Sequence, residues 1–263
     1  MQINKDVPND RLGPKKDSNL LIIGGYGGIG FELTQWAGHA GVNAFVVDLL
    51  SSAERRSERN NPTFFECDIR DEQSVVSCFN KIRTSGLRFD AVAVCSGYTR
   101  GHDHIKETLL DTLDDVIAGN LRGPITVLRE VYPLLCDNAK VVLLSTAIGQ
   151  IGAPGYVAYG AAKNGLNSVI RTAAAEWAPR VIVNGVAPGA VDTAFIRGGY
   201  SEGAADTGPA SRFSLDDYAK RTPLGRMATP KDVLGPILFL LSDAANYITG
   251  QVIHVNGGAF MRD

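Results

Sequence analysis

The tightest constraint on this chain is a junction close to its start. Leu20, Leu21, Ile22 and Ile23 run without interruption into Gly24, Gly25, Tyr26, Gly27, Gly28, Ile29 and Gly30, and then into Phe31, Leu33, Trp36 and Ala37. That order reads as a buried strand, a glycine turn and an apolar-faced helix. Missing side chains let a backbone approach a pyrophosphate, and the free amides and dipole at a helix start favour its charge. Gly24, Gly28 and Gly30, with Tyr26 and Ile29 between them, are therefore candidate cofactor contacts.

The rest of the chain repeats the strand-then-helix alternation. Strands are predicted at Leu20–Gly24, Asn43–Asp48, Thr63–Cys67, Ala91–Cys95, Lys140–Ser145, Val181–Ala187 and Gln251–Val255. Helices are predicted near Gly28–Ala40, Asp71–Thr84, Leu109–Ala118, Pro124–Leu135, Tyr156–Trp177 and Pro230–Ser242, with Asp71 and Thr229 as caps and Pro230 at a first helical position. The strands are apolar throughout, which suits burial on both sides. The expectation is a doubly wound, Rossmann-like α/β fold with a seven-stranded parallel sheet and helices on both faces.

Residues 1–18 read as a flexible extension and 19–263 as one dinucleotide-binding catalytic domain, with a lid insertion near 194–223 that ends in a possible short helix, SLDDYAK. Tyr200, Phe213 and Tyr218 lie in that insertion.

Charge and composition narrow the partners. The 26 basic and 28 acidic residues leave a net charge of −2, too little field to recruit nucleic acid or an anionic membrane. The longest apolar stretch, Val233 to Leu241, is interrupted by Gly235 and Pro236 and falls short of a bilayer span. The first 19 residues carry scattered charges, two prolines and no apolar h-region, so a cytoplasmic protein is expected. Cys67, Cys78, Cys95 and Cys136 form no CxxC pair and read as reduced thiols. His102 and His104 lack a third ligand at metal spacing, so no metal is expected.

The second strand ends in Asp48, 24 residues after Gly24. A carboxylate there accepts hydrogen bonds from an adenosine ribose and would repel the extra phosphate of NADP, so the cofactor is read as NAD. Arg55 and Arg56 are the residues that could answer such a phosphate.

The spacing Gly24-x3-Gly28-x-Gly30 resembles that of the short-chain dehydrogenase/reductase family. Tyr159-Gly160-Ala161-Ala162-Lys163 is similar to its YxxxK, and Asn184 to Gly189 followed by Thr193 to its Pro-Gly cofactor loop. The terminal segments from Gly225 to Met227 and from Gly250 to Gly258 fit as well. Ile23 stands where the family has Thr, and Val94-Cys95-Ser96-Gly97 where it has NNAG. The resemblance implies cofactor contacts at Asp68, Ile69, Ser96, Gly97, Pro188, Gly189, Val191 and Thr193, and a homo-oligomer, a tetramer.

Tyr159 and Lys163, four apart on a helix, share a face. An ammonium beside a phenol is expected to lower the phenol's pKa and ready it for proton exchange. By the resemblance, Asn120 joins a water-linked proton path to Lys163, and a hydroxyl thirteen residues before Tyr159 orients the substrate oxygen. That place belongs to Thr146, with its neighbour Ser145 as the other candidate.

The implied activity is hydride transfer between NAD(H) and a secondary alcohol or ketone, cyclic or aromatic if Tyr98, Tyr156, Phe195, Tyr200, Phe213 and Tyr218 line the pocket. A catalytically idle NAD(H)-binding redox sensor or regulatory protein is the alternative.

Overall fold

The computed structural model describes residues 12–55, 62–100, 104–197 and 214–261. Arg56, His102, Tyr200, Phe213 and most of the expected lid lie outside the described residues.

Seven parallel strands form one sheet in the order β3-β2-β1-β4-β5-β6-β7. They are β1 (Asn19–Ile23), β2 (Asn43–Asp48), β3 (Thr63–Glu66), β4 (Phe89–Val94), β5 (Leu135–Leu144), β6 (Val181–Pro188) and β7 (Val252–Val255). The helices between them are α1 (Gly28–Ala40), α2 (Leu50–Glu54), α3 (Glu72–Thr84), α4 (Leu110–Ile117), α5 (Gly123–Val131), α6 (Val157–Trp177), α7 (Leu215–Arg221) and α8 (Pro230–Leu240).

Alternation along each strand divides the core into two layers. Leu21 and Ile23 pack on one face with Phe79 and Ile82 of α3, Val127 of α5 and Leu166 and Ile170 of α6. Leu20 and Ile22 pack on the other with Leu33 and Ala37 of α1 and Ile237 of α8. The chain order reverses between β1 and β4, so the carboxyl ends of those two strands open a crevice where ligands of such sheets bind.

Several expected boundaries move. The helix foreseen to Leu135 ends at Val131, because Pro133 has no N–H to continue it, and β5 begins at Leu135. The short α2 was not foreseen. A single π turn, Ala118–Arg122, joins α4 to α5 and carries Asn120. The caps hold: the Asp71 carboxylate accepts from the Gln73 N–H, and Thr229 with Asp232 closes a capping box at Pro230.

The later part of the segment read as a flexible extension is docked. Gly13 and Pro14 are buried, and Lys15 pairs with Asp243, which also holds the buried Lys140. Among the described residues, no helix is long and apolar enough to cross a membrane.

Candidate active site

The glycine turn is tight for a reason visible at Gly30. A Cβ there would lie 2.1 Å from the Gly24 carbonyl oxygen, so a side chain would force the turn apart. Gly24 itself takes φ +77°, and its N–H donates to the Val47 carbonyl at 2.8 Å, tying the turn to β2. Among the described residues no side chain caps α1, so a pyrophosphate set there would meet the orphan amides of its first turn. Thr193, from the loop after β6, packs against Gly28 on the same turn. Ile29 and Tyr26 each pack against the core on the α1 side.

Asp48 stands at the end of β2 with both carboxylate oxygens committed. Oδ2 accepts from the Tyr26 N–H at 2.9 Å and Oδ1 from the Leu49 N–H at 2.8 Å, while the Ser52 hydroxyl also bonds to it. Burial pushes the carboxyl above its usual range; those bonds and the Arg55 charge pull the other way without cancelling it. Each carboxylate oxygen has a further lone pair to offer a ligand.

Asp68 is less open than the sequence suggested. Arg70 grips it as a fork, with Nε at 3.0 Å from each oxygen and Nη2 at 2.6 Å from Oδ2. Burial opposes ionisation of Asp68, but the Arg70 bonds and charge outweigh it and hold the carboxyl below its usual range. Arg70 also reaches Asp115 at 3.6 Å and lies over the Tyr98 ring. Asp115 in turn binds Arg100 at 3.2 Å.

One cleft brings together Gly24, Asp48, Asp68, Ile69, Ser96 and Gly97. The Ser96 hydroxyl is buried with no hydrogen-bond partner among the described residues. An orphaned donor on the wall of a glycine-lined cleft is what a polar ligand satisfies on binding, so the residues present fit a dinucleotide.

Deeper in, β4, the π turn and α6 converge. The Lys163 Nζ donates to the Leu144 carbonyl at 2.8 Å and lies 3.5 Å from the Ser96 carbonyl. The Asn120 Nδ2 donates to Val116 and Tyr98 carbonyls, and its Oδ1 accepts from the Tyr98 N–H at 3.3 Å. Gly97 makes the meeting possible: a Cβ on it would sit 3.0 Å from Asn120 Oδ1 and 3.1 Å from Lys163 Nζ.

The two candidate hydroxyls face different ways. Ser145 donates to Asn167 Oδ1 at 2.6 Å, inside the α6 packing. The Thr146 hydroxyl stands beside the Tyr159 phenol and favours its charged form, accepts from the Ile148 N–H and lies 3.5 Å from the Pro188 carbonyl. Thr146 is thus the hydroxyl beside Tyr159.

The electrostatics differ from expectation. Burial pushes the Tyr159 phenol well above its ordinary value, against the Thr146 hydroxyl, and lowers Lys163 to about 8. Enclosure penalises both charged forms, and the Lys163 ammonium is 5.9 Å from the centre of the Tyr159 ring, bonded instead to Leu144. Around Tyr159 the wall is apolar and aromatic: Val116, Ile148, Tyr156 and Phe195, the last with its ring 5.5 Å away.

The sequence reading missed Arg70, Asp115 and Asn167. Only Arg70 left a signal, a cation two residues after a carboxylate at a strand end.

Residues 24–259 match the family model described as enoyl-(acyl carrier protein) reductase. This chain belongs to the short-chain dehydrogenase/reductase family. The 3-oxoacyl-(acyl-carrier-protein) reductase of Aquifex aeolicus is 33% identical over 198 residues, spanning 74% of this chain and 75% of that one. The trihydroxynaphthalene reductase of Colletotrichum orbiculare is 27% identical over 252 residues, 92% of this chain and 89% of that one. A glucose/ribitol dehydrogenase of the same family from Brucella melitensis superposes with a TM-score of 0.83 at 24% identity, covering 96% of this chain and all of that one, and supports the fold alone. As a short-chain dehydrogenase/reductase, the chain is an oxidoreductase that uses a nicotinamide cofactor.

Proposed function

We propose that this chain is an NAD(H)-dependent alcohol dehydrogenase or ketone reductase, acting on a secondary alcohol or ketone that is cyclic or aromatic. The observation that carries the reading is the Thr146–Tyr159 hydroxyl pair, set against an apolar aromatic wall and backed by Lys163 and Asn120.

When bound, the nicotinamide supplies or accepts the hydride. Gly24, Gly28 and Gly30 with Tyr26 and Ile29 would hold the pyrophosphate side, and Asp48 the adenosine ribose. Asp68, Ile69, Ser96 and Gly97 would border the adenosine. Pro188, Gly189, Val191 and Thr193 would receive the nicotinamide side, with Tyr159 and Lys163 at its ribose.

Thr146 would donate to the substrate oxygen and fix its distance from Tyr159. Tyr159 then gives that oxygen a proton in reduction, or takes one in oxidation. Lys163, lowered to about 8, is suited to trading a proton near neutral pH, and Asn120 is the polar group beside it. The raised phenol value keeps Tyr159 neutral, the form that carries the proton needed in reduction.

Ile148, Tyr156 and Phe195 offer surface to a ring and few polar groups to a sugar. The name of the trihydroxynaphthalene reductase, a relative over most of this chain, agrees with that substrate class. Arg100 is engaged by Asp115, which weighs against an acidic substrate.

The test is a panel of cyclic, aromatic and hydroxy-acid substrates with NAD(H) and NADP(H), read at the reduced nicotinamide absorbance. Turnover of cyclic or aromatic members with NAD(H) is expected. Tight NAD(H) binding with no turnover across the panel would favour the sensor reading. The expected homo-tetramer is proposed on the exposed Leu109, Leu110 and Ile125 around α4 and α5, and a monomer in sedimentation would overturn it.

A further inference from the structure

The sequence places Tyr218 among the aromatics that could line a substrate pocket, but its hydroxyl is engaged elsewhere. It accepts from the Ala190 N–H at 3.0 Å, in the loop that follows β6. The rings packed around Tyr159 are those of Tyr98, Tyr156 and Phe195. The contact with the loop is close enough to require a glycine beside it. A Cβ on Gly189 would lie 2.4 Å from the Tyr218 oxygen and 3.0 Å from the Cβ of Asn256.

Both partners of the bond are fixed in turn. On the helix side, the Ser214 hydroxyl accepts from the Asp217 N–H at 3.1 Å and caps α7. At the other end of α7 the buried Thr222 donates its N–H and its hydroxyl to the Tyr218 carbonyl, at 3.0 and 2.9 Å. Thr222 packs against Gly257, whose carbonyl accepts from the Leu224 N–H at 3.1 Å. Tyr218 therefore stands on a helix pinned to the turn after β7. On the loop side, the Gly189 N–H donates to Val255 at 2.9 Å, and Ala190 and Asp192 pair with Ala228 at 3.1 and 2.8 Å. These bonds hold Val191 in a short bridge to Ala228. Thr193 follows, packed against Gly28 of the glycine turn.

We propose that Tyr218 is a positioning residue whose hydroxyl braces the loop after β6, keeping Val191 and Thr193 in place for the nicotinamide half of the cofactor. The proposal rests on the reading of Pro188, Gly189, Val191 and Thr193 as the nicotinamide side. The bond fixes the backbone one residue before Val191, and without it the Ala190 N–H would need another acceptor or the loop would shift. A loop already held in its binding position loses little freedom when the ligand arrives, so the brace adds to affinity without touching the cofactor.

The effect is confined to one half of the dinucleotide. The residues proposed for the adenosine, Asp48, Asp68 and Ser96, stand at the ends of β2, β3 and β4, on the other side of the site from β6 and β7. Loss of the brace should weaken a ligand that carries a nicotinamide and spare one that lacks it.

The experiment titrates NADH and ADP separately against the full chain and against Tyr218→Phe, which keeps the ring and removes the hydroxyl. ADP offers the adenosine and pyrophosphate groups alone. The NADH Kd is expected to rise about 3- to 10-fold, the scale of one lost hydrogen bond, while the ADP Kd stays within about two-fold of the parent. An NADH Kd that also stays within about two-fold would overturn the brace. Equal losses for NADH and ADP would overturn it too, since they mark a fold loosened throughout.

Thr193→Val, which keeps a methyl group to pack on Gly28 and removes the hydroxyl, tests the reading of the loop by itself. It should weaken NADH and spare ADP. If it does so and Tyr218→Phe does not, the brace fails and the nicotinamide-side reading stands; if neither variant moves NADH, both fail. The titrations need no substrate, so these outcomes are distinguishable from failure of the proposed dehydrogenase activity.

Discussion

The cofactor end and the catalytic end both depend on ionisable side chains, but they stabilise them differently. At the cofactor end Asp48 is held by backbone N–H groups of Tyr26 and Leu49, and Asp68 by the Arg70 fork. The Arg70 bonds and charge outweigh burial at Asp68, whereas at Asp48 the bonds only partly offset it. At the catalytic end Tyr159 and Lys163 are enclosed largely by apolar groups, with the Thr146 hydroxyl and the Leu144 and Ser96 carbonyls as polar neighbours, and burial pushes both toward their neutral forms. One end fixes charge for recognition. The other makes charge costly, so Tyr159 rests as the neutral phenol that carries the proton.

Removing the buried ammonium is the widest break in that contrast. Lys163→Met is expected to lower turnover by ~10² to 10⁴, the scale of a lost acid/base partner. It also gives the cost of burial directly. The folded value of about 8 lies below the ordinary 10.5, so the penalty is fully present below pH 8 and is relieved as pH rises toward 10.5. The stability of the parent relative to Lys163→Met should therefore rise across that window by about 3 kcal/mol. Denaturant titrations of both proteins at pH 7 and pH 10.5 check this, and a flat difference would show that Lys163 is not held in an apolar site.

The two neighbouring hydroxyls sharpen the comparison within the catalytic end. Thr146→Val should lower kcat/KM by ~10² or more, the cost of one missing donor to a reacting oxygen. Ser145→Ala should leave turnover within a few-fold and cost about 1 kcal/mol of stability, because its bond to Asn167 is structural. Steady-state kinetics and thermal melts on both variants decide it, and a reversed pattern would move the role to Ser145.

At the cofactor end the expected effect is one of preference. The parent should favour NAD over NADP by ~10²-fold, and Asp48→Ala should lose most of that through lost ribose bonds and lost repulsion. Arg55 lies close enough to feel the Asp48 charge, so the alanine variant leaves a cation near the phosphate position. A comparison of kcat/KM for both cofactors and both proteins tests this. An alanine variant with unchanged preference would remove Asp48 from the account.

The same contrast explains what could be read from the sequence. β2 and α1 run over the residues expected, and Asp48 lies at the strand end where the glycine turn needs it, because these depend on local pattern and chain spacing. Tyr159 and Lys163 share a helix face for the same reason. What escaped depends on contacts between distant segments. Arg70 neutralises Asp68 only because the turn after β3 folds back, and it reaches Asp115 only because α4 packs over that turn. The direction of the Tyr159 shift depends on burial by α4, α6 and the loop at Phe195, which no tyrosine–lysine spacing encodes. The π turn at Asn120 is likewise set by the fit of Gly119 and Gly123 against Tyr98 and Ile69.

The central claim is that Tyr159 exchanges the proton while the cofactor site remains intact around it. Tyr159→Phe keeps the ring, its contact with Phe195 and the packing of α6, and removes only the phenolic oxygen. NADH binding should be measured by fluorescence titration alongside kcat on whichever cyclic or aromatic ketone the parent reduces. The expected result is an NADH affinity within a few-fold of the parent and a kcat lower by ~10² to 10⁴. A variant that binds NADH and reduces the ketone at close to the parent rate would contradict the account.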